Sequence, residues 1–294
     1  MKALLDGDIL TYRCAAASEE TDMEICLLRL DRAVREVLYV TESDTYEIFL
    51  SGEDNFRYKI FPEYKANRKD IVKPKWFQQC REYLVTNWNA RMAHGCEADD
   101  MLGIEQTRHN YVYHSMLLEG QQEGCSHSVI CSIDKDLLQI PGKHYNFVKN
   151  EFTTISELAG FRNFYTQLLM GDASDGISGV AGIGKVKAFK MLEGCETEQE
   201  MFDTCRGAYN DDALMYTYGT CLWIWRKEND IWNIDNLIGK DQLDSEADQK
   251  LISILQMAEE IRQHMVPTMQ EEMNGFLADG KQMDSTGQTI SPVL

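Results

Sequence analysis

The chain has 294 residues, 44% of them hydrophobic and 26% charged, with a net charge of −19. That balance fits a globular protein with one large core or two subdomains, and no apolar run is long enough to span a bilayer. The acidity argues against a generic nucleic-acid binder, whose affinity rests on basic surface. It is unevenly spread, however: residues 241–294 hold ten acids against three Lys or Arg, whereas residues 57–75 hold seven basic residues and two acids. Nine cysteines without a C-x-x-C pair, and no basic n-region followed by an apolar leader, point to reduced buried thiols and a cytoplasmic location.

Strand–helix alternation begins at once. Residues 2–5 form a short apolar run ending at Asp6-Gly7-Asp8, which predicts a buried strand with acids at its carboxyl end. Residues 24–40 carry helical periodicity through Ile25, Leu28, Val34, Val37 and Leu38. A strand is predicted at 46–50, then the turn-forming SGEDN, then the basic stretch RYKIFPEYKANRKDIVKPK. A helix follows over 76–89, a short strand over 90–94 and a helix opened by GCEADD through about residue 109, while 110–127 is ambiguous. The segment 128–134, SVICSID, is the clearest buried strand and runs into Asp134 and Asp136; 145–148 is a further strand candidate. From about residue 156 the pattern is helical. An aromatic-rich segment, 209–232, is placed to pack this part on the sheet, and 248–263 predicts an amphipathic helix. The last twenty residues are polar and expected to be disordered. Strands alternating with helices imply an α/β fold whose parallel sheet is covered on both faces, and ligands then bind beyond the carboxyl ends of the strands.

Four acidic groups recur at element boundaries: Asp6/Asp8, Glu97/Asp99/Asp100, Asp134/Asp136 and Asp172/Asp175. Each alone has a bland reading, as a helix cap or as turn chemistry. Together, with two of them at strand ends of one sheet, they predict gathered carboxylates, which repel and need cations to coexist. Oxygen donors suit Mg²⁺. Two such ions about 3.5–4 Å apart can activate water and stabilise the leaving oxygen of a phosphodiester. Lys65, Arg68 and Lys69 are either a solvated charge run or a phosphate clamp, with the ring of Tyr64 offered for base stacking. After Asp175 a glycine-punctuated turn, Gly182-Ile183-Gly184, opens a helix bearing Lys185 and Lys187. Glycines let a backbone approach a phosphate, and a helix N-terminus attracts one.

In order along the chain, LLDGD, PEYKANRK, CEADDML, SIDKDLLQIPG and GDASDGISGVAGIGKVKA resemble the motifs of the flap endonuclease and 5′→3′ exonuclease family, most closely the short bacteriophage 5′→3′ exonucleases. The resemblance covers about residues 3–192. It implies a PIN-like (resolvase-like) core at 1–150, a helical subdomain with a helix–three-turn–helix element at 151–240, and an acidic C-terminal helix and tail at 241–294. It implies two Mg²⁺ ions, replaceable by Mn²⁺, held by Asp6, Glu97, Asp99, Asp100, Asp134, Asp136, Asp172 and Asp175. Lys65 and Arg68 match the family's basic pair near the scissile phosphate. Gly182, Ile183, Gly184 and Lys185 match its duplex-binding turn, where relatives hold a monovalent cation such as K⁺. The implied substrates are 5′ ends or branch points of double-stranded DNA, and RNA in hybrid duplexes. Two departures stand out. Family members often carry an acid just after the strand equivalent to 46–50; here Ser51-Gly52 stands there, so that either Glu53 or Asp54 compensates or one contact around the metal site is missing. Residues 69–96 also leave little chain for a long helical arch, which favours exonuclease action over flap threading.

Overall fold

The computed structural model describes residues 1–118, 127–232 and 246–264. β1 (Lys2–Asp6) runs directly into α1 (Gly7–Ala16), followed by α2 (Met23–Val40) and β2 (Thr45–Leu50). A short α3 (Arg57–Ile60), a single 3-10 turn at Ala66–Arg68 and α4 (Phe77–Trp88) lead to β3 (Arg91–Met92). Then come α5 (Ala98–Leu118), β4 (Ser128–Cys131), β5 (Gly142–Asn146) and β6 (Glu151–Ile155). The helices α6 (Glu157–Met170), α7 (Lys185–Leu192), α8 (Glu198–Tyr209), α9 (Asp212–Leu222) and α10 (Glu246–His264) complete the described chain.

The sheet has the order β3-β2-β1-β4-β5-β6, parallel except for β6, which pairs antiparallel with β5. Period-2 alternation decides what each face buries. Ala3, Leu5, Ile48, Leu50, Val129 and Cys131 pack under α1, α2 and α4, whereas Leu4, Phe49 and Ile130 face α5 with Leu102 and Ile140. Both faces are covered, as a parallel sheet requires. The aromatic segment closes the gap between sheet and helices: Ile224 joins the α5 face, while Trp225 stacks on Phe56 at 5.0 Å and Trp232 packs against Phe164.

Most predicted elements stand within a residue or two of their expected limits. Residues 7–16, which carry no clear apolar period, form α1 because Asp6 caps it. The ambiguous stretch continues α5 to Leu118. The strand expected at 145–148 begins earlier, at Gly142, and 147–150 is the turn into β6. β6 escapes a periodicity reading because it is an exposed edge strand with almost no buried side chain. The sheet thus runs past residue 150 to Ile155. Among the described residues no helix is long and apolar enough to cross a membrane, and eight cysteines are free. The expected polar tail lies outside the described residues.

Candidate active site

Parallel pairing of β1 with β4, Leu5 opposite Cys131, puts Asp6 and the turn after β4 side by side at the carboxyl edge of the sheet. α1 starts at that edge because Gly7 lacks a side chain; a Cβ there would lie 2.6 Å from the Phe49 carbonyl oxygen. Asp6 accepts the Ile9 N–H at 3.0 Å and the Ser132 hydroxyl at 2.6 Å. Ser132 Oγ accepts the Asp134 N–H, and Asp134 Oδ1 accepts the Asp136 N–H at 2.9 Å, so this acidic turn is fixed by its own bonds.

Two more walls complete a cleft of about 290 Å³ lined by Asp6, Asp8, Glu97, Asp99, Asp134 and Asp136. One is the start of α5, where Ser51 Oγ accepts the Ala98 N–H at 3.0 Å and presents Glu97 and Asp99. The other joins the basic loop to the turn at 172–176. Lys65, in the left-handed region at φ 53°, donates its N–H to the Asp175 carbonyl at 2.9 Å and its Nζ to Glu97 at 2.6 Å. Arg68 reaches the Ser174 carbonyl at 2.9 Å and Asp175 Oδ1 at 2.7 Å. Lys65 and Arg68 therefore stand on the cleft as a paired ammonium and guanidinium, while Lys69 is exposed beyond it.

Electrostatics mark the cleft as short of positive charge. Burial, with Asp8 and Asp134 nearby, raises the Asp6 carboxyl to about 7 against the hydrogen bonds it receives. Burial and the charge of Asp134 raise Asp136 to about 7, and burial beside Asp6 and Asp134 lifts Asp99 well above the carboxylate range. Glu97 is the opposite case: burial would raise it, but Lys65 and Arg57 outweigh that and hold it low. Among the described residues no ion pair forms to Asp6, Asp99 or Asp134. Crowded oxygen donors without a counter-cation fit a hard divalent ion. Asp6, Asp99, Asp134 and Asp136 are the residues that would hold one, with Glu97 and Asp175 across the cleft.

A pH prediction follows. Asp6 and Asp136 titrate near 7 in the folded chain and near 3.8 otherwise, so the folded state binds extra protons between these values and loses that advantage as pH rises. In EDTA the thermal midpoint should fall from pH 5 to pH 8, and Mg²⁺ should restore it most at pH 8. A midpoint in EDTA that rises over this range would contradict the crowding.

Three expected roles need correction. Tyr64 is 2% exposed, its hydroxyl donating to Asp175 at 3.0 Å and to Glu97 at 3.2 Å, so the ring supports the wall from inside and offers no stacking surface. Asp100 is fully buried; both oxygens are taken by the Arg57 guanidinium at 2.6 and 2.8 Å and by the N–H groups of Glu97 and Trp225, which leaves none for a metal. Neither Glu53 nor Asp54 lines the cleft, and Asp54 instead accepts the Gly95 N–H at 2.7 Å. Asp172 lies one layer back. It accepts from Gln167 and Ser174 and pairs with Lys135 at 3.3 Å, and Ser174 and Lys135 keep its carboxyl low despite burial.

The glycine turn projects from the helical half. Gly179, at φ 64°, packs so tightly on Gly171 that a Cβ would lie 2.3 Å from its nitrogen, which anchors the turn. Ile183 is buried in the helical core, while a Cβ at Gly182 or Gly184 would meet nothing within 4 Å. Lys185 and Lys187 are exposed on the first turn of α7, and the Lys187 ammonium turns back to the Gly182 carbonyl at 3.5 Å. A second donor group among the described residues, Glu47, Glu105 and His109, already has its carboxylates paired with Lys2, Arg91 and Arg108 and so lacks any charge deficit.

Arg57, Arg81, Ser132 and Lys135 also shape this site without standing out in the sequence. Only Lys135 carried a signal, standing between Asp134 and Asp136. The others are set by tertiary contacts.

No family model matches the chain. It is 26% identical over 214 residues to flap endonuclease Xni of Shewanella putrefaciens, covering 68% of this chain and 77% of that protein. It is 25% identical over 220 residues to a 5′-3′ exonuclease of Mycoplasmopsis pulmonis, covering 68% and 69%. The structure of T5 5′-exonuclease with bound zinc superposes with a TM-score of 0.58 at 16% identity, over 88% of this chain and all (100%) of that one. A bacteriophage T5 D15 flap endonuclease in complex with DNA and metal ions gives 0.55 at 18% identity, over 88% and 99%. The structural likeness establishes the shared PIN-like α/β fold. The relatives bear out the resemblance carried by the five motifs.

Proposed function

We propose that this chain is a divalent-metal-dependent nuclease of the flap endonuclease and 5′→3′ exonuclease family, removing nucleotides from 5′ ends of double-stranded DNA. The observation that carries this reading is the cleft, where carboxylates short of cations face a fixed Lys65–Arg68 pair. Two Mg²⁺ or Mn²⁺ ions, when bound, would supply Lewis acidity and lower the pKa of water. The protein's own groups do the positioning. A phosphate entering the cleft draws Lys65 from Glu97 and Arg68 from Asp175. Lys65 then offsets charge developing on the phosphoryl oxygens, and Arg68 orients that group for in-line attack. Burial of the acidic wall strengthens these interactions by excluding water. Products leave with 5′-phosphates.

The division of labour is between the sheet, which carries the chemistry, and α6–α9, which hold the duplex. Gly182 and Gly184 leave room for a phosphate at the N-terminus of α7, with Ile183 fixing the turn and Lys185 and Lys187 adding charge. A K⁺ ion at residues 182–185 belongs to the same proposal. Lys185→Ala should weaken duplex binding several-fold and lower the slope of log affinity against log salt by about 0.9; titrations by fluorescence anisotropy at four salt concentrations check this. An unchanged slope would remove Lys185 from the interface.

A flap endonuclease is the second reading, favoured by the name of the Shewanella relative. Against it, residues 69–76, between the 3-10 turn and α4, contain no helix that could arch over a threaded strand. Blunt, recessed, flapped and RNA–DNA hybrid duplexes compared at equal concentration separate these activities. Exonuclease action predicts blunt and recessed ends cut at least as fast as flaps.

A further inference from the structure

The edge of the cleft beside β2 carries no acid of its own, because Ser51-Gly52 follows the strand and Glu53 and Asp54 turn away. An acid reaches that edge from the helix that follows the neighbouring strand. Asp8 sits in the first turn of α1, brought against the end of β2 by the close approach at Gly7, and its carboxylate lines the cleft with Asp6, Asp99 and Asp134. Three contacts fix it there. Oδ2 accepts the Ser51 N–H at 2.8 Å, Oδ1 pairs with the Arg81 guanidinium, and Arg81 also donates to the Ser51 carbonyl. Asp8, Ser51 and Arg81 thus close a ring across α1, β2 and α4. Ser51 carries the ring onward by capping Ala98 at the start of α5, beside Glu97 and Asp99.

A surface ion pair would not be built this way. The Arg81 side chain is 14% exposed and Asp8 29%, and each is held by bonds beyond the pair itself. Arg81 does not line the cleft, whereas Asp8 does. The pair is oriented, with its negative end toward the cluster of acids and its positive end in the wall behind.

We propose that Asp8 is a further member of the divalent-cation site, standing on the same cleft wall as Asp6, and that Arg81 is its positioning residue. Resting on the function proposed above, this deepens it by naming which acid serves the β2 edge. Both Asp8 oxygens are engaged by protein donors but keep free lone pairs, so Asp8 would accept hydrogen bonds from water carried by a bound Mg²⁺ and add negative charge beside it. Groups of this kind typically change metal affinity by 10–100-fold.

The test is Mn²⁺ binding without DNA, followed by electron paramagnetic resonance of free Mn²⁺, for the wild-type chain, Asp8→Asn, Arg81→Gln and Asp6→Asn. Asp8→Asn keeps the shape and the acceptor for the Ser51 N–H while removing the charge. It is expected to weaken one Mn²⁺ site at least tenfold, with Arg81→Gln giving a smaller loss in the same direction. Thermal midpoints in EDTA separate this from a structural role: a variant that only loosened the fold would lower its midpoint and leave Mn²⁺ affinity within twofold of wild type. That outcome overturns the assignment of Asp8 alone. A wild-type chain binding Mn²⁺ no better than Asp6→Asn would overturn the cation site itself, and the Asp8 assignment with it.

Discussion

Asp134→Asn should reduce cleavage by about three orders of magnitude, or about 4 kcal/mol of transition-state stabilisation, while leaving duplex binding intact or tighter. The substitution is nearly isosteric, and the remaining carbonyl oxygen can still accept the Asp136 N–H that shapes the turn after β4. What disappears is one charge at the centre of the cluster. Asp134 raises the pKa of Asp6, Asp99 and Asp136 at once. Its removal should therefore shift those groups down, and weaken the hold on divalent ions, without disturbing the fold. It also removes a charge that repels DNA phosphate. Single-turnover cleavage in Mg²⁺, with anisotropy binding in Ca²⁺, reads the two effects separately. Lost binding in a normally folded Asp134→Asn protein would contradict the placement of Asp134 among the metal-holding acids.

Asp100→Ala carries the largest expected cost in stability. Arg57 and Asp100 form a buried two-pronged pair, and Arg57 additionally donates to the carbonyls of Cys221 at 2.7 Å and Trp223 at 2.8 Å. The pair therefore ties α3 and α5 to the last turn of α9 and the residues just after it. Removing one partner strands a buried charge and costs about 3–5 kcal/mol. Replacing both by apolar residues of similar volume, Arg57→Met with Asp100→Leu, should recover only part of that loss: no lone charge remains buried, but the N–H groups of Glu97 and Trp225 and the carbonyls of Cys221 and Trp223 lose their partners. Urea unfolding of the two variants measures this directly. If Asp100 were instead a metal ligand, Asp100→Ala would unfold like wild type in EDTA and lose only the stabilisation by Mg²⁺.

Much of the sheet was legible because buried parallel strands are short apolar runs and their carboxyl ends carried acids. The position of Asp6, Asp134 and Asp136 at that edge is readable from the sequence for that reason. The sequence misled where one residue type serves two ends. Asp99 and Asp100 are adjacent acids at a helix start, yet helical geometry turns Asp99 to the cleft and Asp100 to the interior, where Arg57 meets it. Tyr64 lies in a basic, exposed-looking stretch, but its ring fills the wall beneath Lys65. Arg57 gave no signal, since nothing local tells a buried arginine from the solvated lysines around it. Asp8 was visible as an acid beside Asp6; its reach to Ser51 depends on the packing of α1 against β2.

Metal-dependent removal of nucleotides from 5′ ends can be tested on one duplex. A linear duplex labelled at the 5′ end of one strand, and a second copy labelled at the 3′ end, are incubated with the protein in Mg²⁺ and in EDTA. Release of 5′-terminal nucleotides from the first and stepwise shortening of the second, both only with Mg²⁺, is the expected result. No cleavage of this duplex or of its flapped counterpart, in Mg²⁺ or Mn²⁺, alongside tight binding, would contradict the account and make the chain a DNA-binding protein without catalysis.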